Sequence, residues 1–83
     1  MKMKYSIKYE KRCYKYLKRL TRNNQIRIIR AINNLPFGDV KRLQSDKGNY
    51  RLRVGSFRII FYKDDKELVI YVIEIGPRGG IYK

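Results

Sequence analysis

The 83-residue sequence predicts an α+β fold of order β-α-α-β-β-β, with a helical hairpin packed on one face of a small, antiparallel-rich sheet. Three observations predict it. "MKYSIKY" alternates apolar and polar residues with period two. Between Glu10 and Leu35 the apolar residues recur at helical spacing. From Tyr50 to Ile75 come three runs rich in β-branched and aromatic residues, separated by turn chemistry.

Each element follows from its residues. Met3, Tyr5, Ile7 and Tyr9 form one face of the first strand, with Lys4, Ser6 and Lys8 on the other. Cys13, Tyr14, Leu17 and Leu20 mark a first helix, and Asn23 or Asn24 is positioned to cap the next. Ile28, Ile29, Ile32 and Leu35 form a second stripe, ended by Pro36 and Gly38. "VKRL" (Val40 to Leu43) reads as a short strand or a turn, and "SDKGN" as a loop. "YRLRV", "FRIIFYK" and "LVIYVIEI" are strands. Gly55-Ser56 suits a two-residue type II′ turn, and "KDDKE" supplies the next turn. "GPRGGIYK" is an irregular tail. One domain over 1–83 is expected, burying roughly 60–65% of its unfolded surface.

Composition narrows the function. Lys and Arg number 21 against 7 Asp and Glu, a net charge of +14. That excess repels itself and attracts polyanions, nucleic acid first among them. An acidic protein or a membrane surface would also neutralise it. Histidine is absent, which removes the commonest general base and metal ligand. With a single cysteine, Cys13, neither an internal disulfide nor a zinc site is expected. No glycine-rich phosphate-cradling motif is present, so no nucleotide cofactor is expected. The N-terminus lacks the apolar core of a signal peptide, and no run approaches the ~20 residues of a membrane helix. The expected location is the cytoplasm.

The Gly55-Ser56 turn pairs Val54 with Phe57, Arg53 with Arg58, Leu52 with Ile59 and Arg51 with Ile60. One face then carries Tyr50, Leu52, Val54, Phe57, Ile59 and Phe61, a core face ready for the helices. The other carries Arg51, Arg53, Arg58 and Ile60, joined by Tyr62, Tyr71 and Ile73 if the next strand follows in register. No Asp or Glu is expected there, since parity puts Glu74 on the opposite face. A solvated outer face is the plain reading of such residues. Yet opposed arginines ~5 Å apart at Cβ repel, and a phosphate would satisfy them through guanidinium forks. Arg78 and Tyr82 follow the last strand. Gly79 and Gly80 allow the tail to bend back over the sheet, where Arg and Tyr together suit a phosphate and a base.

"YRLRVGSFRIIFYK", a strand, and then "IGPRGGIYK" resembles the RelE group of the RelE/ParE toxin superfamily, the toxins of type II toxin–antitoxin modules. The resemblance spans nearly the whole chain and is sharpest from Tyr50 to Tyr82. It implies a ribosome-dependent endoribonuclease that enters the A site, beside ribosomal RNA, and cleaves mRNA without a metal ion, restrained by a cognate antitoxin. By motif position Arg51 and Arg53 match the paired basic residues of the family's second strand, Arg58 the arginine of the following strand, Arg78 the arginine after the last strand and Tyr82 the terminal tyrosine. The resemblance thus implies a catalytic set of Arg51, Arg53, Arg58, Arg78 and Tyr82. Arg51 and Arg53 stand where the RelE pattern has lysines, and arginine does not act as a base in proteins. The alternative is a ParE-like member, which shares the fold and inhibits DNA gyrase without cutting RNA.

Overall fold

The computed structural model describes residues 5–43 and 48–78. Its elements are β1 (Ser6–Tyr9), α1 (Lys11–Lys18), α2 (Arg22–Asn33), β2 (Val40–Arg42), β3 (Asn49–Val54), β4 (Phe57–Asp64) and β5 (Val69–Pro77). The strands form one sheet in the order β1-β5-β4-β3-β2. "VKRL" is therefore a strand at one edge, antiparallel to β3. At the other edge β1 runs parallel to β5, bracketed by Ser6 N–H to Leu68 O (2.8 Å) and Glu10 N–H to Val72 O (2.9 Å). All the other pairs are antiparallel.

α1 buries Cys13 and Leu17, one turn apart, and presents Lys and Arg elsewhere. The Cys13 Sγ–H donates to Val72 O at 3.5 Å, which seats the helix on β5. Burial pushes the Cys13 thiol up; a backbone hydrogen bond from Glu10 and the charge of Arg12 oppose this, while the carboxylates of Glu10 and Glu74 add to it. α2 begins earlier than the asparagines suggested. Its N-cap is Thr21, whose hydroxyl accepts from Asn24 N–H at 3.3 Å, and both Asn23 and Asn24 lie inside the helix. Gln25 Nε2 donates to Leu17 O (2.8 Å), which also accepts from Leu20 N–H (3.0 Å), and to Leu20 O (3.2 Å), tying the start of α2 to the end of α1.

The core lies between the helices and one sheet face. Leu52, Ile59, Phe61, Ile70 and Val72 from the sheet meet Ile28 and Ile32 from α2, all at most 1% exposed. Each such side chain contributes about 1.5–3 kcal/mol of burial, against the self-repulsion of a +14 chain.

Candidate functional site: an arginine face on the open side of the sheet

The β3–β4 hairpin has the register its turn predicts, with Arg53 opposite Arg58 and Arg51 opposite Ile60. Gly55 has φ +56° and Ser56 does not share a positive φ, the type II′ pattern. Alternation then buries Leu52, Phe57, Ile59 and Phe61 and sends Arg51, Arg53 and Arg58 to the side without helices. The pairing with the neighbouring strands extends this into two rows. One runs Lys41, Arg51, Ile60, Glu74 and the other Arg53, Arg58, Gly76. A Cβ on Gly76 would meet nothing within 4 Å, so there is open space beside Arg58.

Arg78 joins the same end of the sheet. Its backbone N–H donates to Ser56 O (2.8 Å), and its guanidinium Nη1 donates to Gly55 O (2.7 Å). The turn between β3 and β4 therefore anchors the arginine that follows β5. Four of the five expected site residues are thereby placed: three on one face and Arg78 at its end. Tyr82, with Gly79 and Gly80, lies outside the described residues.

Two expectations for this face need correction. It is not free of carboxylates. Asp39 Oδ1 is 4.0 Å from Arg51 Nη1, and Asp39 Oδ2 is 4.0 Å from Arg53 Nε. Arg53 N–H donates to Asp39 O at 3.1 Å, which fixes the backbone beside the pair. Arg51 is 13% exposed, and among the described residues its buried Nη1 has no hydrogen-bond acceptor. Asp39 at 4.0 Å supplies charge there rather than a hydrogen bond. The sequence signal for Asp39 was the strand reading of "VKRL", which sets the preceding residue beside β3. The opposed arginines are thus partly compensated before any ligand binds.

The second correction concerns Glu74. A bulge shifts the β4–β5 register, so that Phe61 pairs with Val72 but Ile60 pairs with Glu74. Strict alternation would bury Glu74 and expose Ile75. Instead Ile75 is 6% exposed in the core, and Glu74 is exposed. Glu74 lines a recess of about 330 Å³ with Arg12 and Lys15 of α1 and Arg19 at its C-cap, and Arg12 Nε donates to Ile73 O at 2.9 Å.

Chemically, the face can bind an oxyanion through several fixed guanidinium forks and stabilise developing negative charge. Because arginine stays protonated, these residues cannot themselves accept a proton. An α+β sheet with helices on one face and an arginine row on the other defines a small basic domain whose open sheet face can receive an anion.

No family model matches the chain. It is 31% identical, over 98% of its length and 98% of the relative's, to the Methanocaldococcus jannaschii protein named "Putative toxin RelE1". Its structure matches the archaeal RelE–RelB complex from Pyrococcus horikoshii with a TM-score of 0.79 and 28% identity, covering 94% of this chain and 99% of that one. The Escherichia coli RelBE toxin–antitoxin complex matches at TM-score 0.75 and 17% identity, covering 90% and 98%, a likeness of fold. The chain belongs to the RelE toxin family.

Proposed function

We propose that this RelE-family protein is the toxin of a type II toxin–antitoxin module, a single-domain endoribonuclease that cleaves mRNA in the ribosomal A site. The observation that carries the reading is the convergence of Arg53, Arg58 and the turn-anchored Arg78 at one end of the open sheet face. The reaction is an attack of the RNA 2′-oxygen on the adjacent phosphorus. The P–O5′ bond breaks, leaving a 2′,3′-cyclic phosphate and a 5′-hydroxyl. It needs in-line positioning, stabilisation of the phosphorane and two proton movements.

Arg53 and Arg58 stabilise the non-bridging oxygens, with the open space over Gly76 leaving room for the phosphate. Arg51, less exposed than Arg53, binds the flanking backbone and is steadied by Asp39. Arg78 neutralises charge on the leaving oxygen. Tyr82 stacks on or orients a base. The 2′-OH proton passes to an acceptor other than the arginines, the leaving 5′-oxygen takes a proton from solvent water, and residues and ribosome together need no metal ion for these roles. RelB accompanies RelE in the P. horikoshii complex. An acidic antitoxin segment suits the +14 chain in the same way.

The test is primer extension on translated mRNA after induced expression. Wild type should produce cuts within codons and arrest growth, and Arg58→Ala and Arg78→Ala should abolish both. Equal cutting by the variants would sink the site assignment. Inhibition of gyrase supercoiling with intact mRNA would replace the nuclease reading with the ParE-like one.

A further inference from the structure

Beyond the arginines, the open sheet face carries an aromatic pair that the chemistry above does not use. Tyr62 on β4 and Tyr71 on β5 are paired across the strands, with ring centroids 6.2 Å apart and planes at 31°. Each is 40% exposed. A cross-strand tyrosine pair can serve the sheet alone. Three features point past that. Gly48 backs the Tyr62 ring closely: a Cβ there would lie 3.2 Å from Tyr62 Cε1. The ring therefore lies between Gly48 and Tyr71. Tyr71 also lines a recess of about 290 Å³ with Lys8, Lys11 and Glu10, so two cations border the pair. Finally, Tyr62 stands four residues from Arg58 along β4, ~13 Å, with both side chains on the same face.

We propose that Tyr62 and Tyr71 form a base-stacking subsite for single-stranded RNA, with Lys8 and Lys11 contacting the phosphate beside the stacked base. Exposed aromatics on an open antiparallel face stack bases without reading their hydrogen-bonding edges, and neighbouring cations supply the backbone contact. At ~13 Å from Arg58, the subsite takes a nucleotide further along the strand than the one whose phosphate the arginines hold. It deepens the ribonuclease reading and rests on it for the identity of the strand. Its binding test stands apart from cleavage.

The chain has no tryptophan, so Tyr62→Trp introduces a single reporter. The probe is a 2′-O-methyl hexaadenylate, which cannot be cut by 2′-OH attack, compared with an abasic hexamer of equal charge. Hexaadenylate should quench the emission of the introduced indole and the abasic strand should not. In the otherwise natural chain, Tyr71→Ala should weaken hexaadenylate binding roughly 5- to 100-fold, while Tyr71→Phe and the control Tyr14→Ala leave it unchanged. Wild-type affinity in the circular-dichroism-verified Tyr62→Ala/Tyr71→Ala variant overturns the subsite. So does equal quenching by both strands, or a failure to bind hexaadenylate at all. Quenching without mRNA cleavage by the wild-type protein keeps the subsite and overturns the nuclease reading instead.

Discussion

Asp39 changes how the arginine row works. A carboxylate 4.0 Å from two guanidiniums lowers the local positive potential, and at 58% exposure it is well solvated. The Asp39–Arg53 pair, exposed on both sides, is worth about 0–1 kcal/mol, and the buried Arg51 Nη1 loses no hydrogen bond when the carboxylate goes, since Asp39 stands 4.0 Å away. Asp39→Asn should therefore leave the urea midpoint nearly unchanged. The same change removes one negative charge from beside the proposed phosphate site. Binding of a short RNA, followed by fluorescence anisotropy, should tighten a few-fold at low salt, an advantage that fades as salt rises. Weaker binding would show that Asp39 acts by orienting Arg51 and Arg53 rather than by screening them. The sequence hid this contact because Asp39 and Arg51 meet only once β2 pairs with β3, two segments whose separation along the chain says nothing of register.

At the scale of elements, the β3–β4 hairpin was legible because its turn is so short. Two residues between alternating runs leave one register, and that register decides every side chain's face. The bulge in β5 was not legible. Ile73-Glu74-Ile75 alternates as a regular strand would, and only packing of Ile75 into the core shows where the extra residue sits. The parallel partnership of β1 with β5 has no local signature either, since the two strands are separated by most of the chain. The hairpin turn also makes a stability prediction. At Gly55, φ is +56° and an added Cβ would lie 2.6 Å from Arg27 Nη2. The arginine tip can move aside, but the left-handed backbone remains unfavourable, so Gly55→Ala should cost about 1–2 kcal/mol. Thr21→Ala, which removes the cap of α2, should cost about 1 kcal/mol. Urea denaturation measures both losses, and RNA affinity tells the two apart. Only Gly55→Ala disturbs the turn whose carbonyl holds Arg78, and only it should also lower RNA affinity.

Over the whole molecule, the two sheet faces divide the work. One face takes the helices and the apolar burial, and the other is left to charge and aromatic rings. The +14 charge was plain in the composition, and it pointed to a polyanion without choosing which. The arrangement of that charge narrows the choice. Arg53, Arg58 and Arg78 gather at the turn end of the sheet, with a tyrosine pair further along it. Ribosomes programmed with mRNA and holding an empty A site, mixed with purified protein under single-turnover conditions, test this most directly. Wild type should release a fragment ending in a 2′,3′-cyclic phosphate and another beginning with a 5′-hydroxyl, and Arg58→Ala should slow that step by about 10²-fold or more while remaining folded. Cleavage at the wild-type rate by Arg58→Ala, or intact mRNA with the wild-type protein, would contradict it.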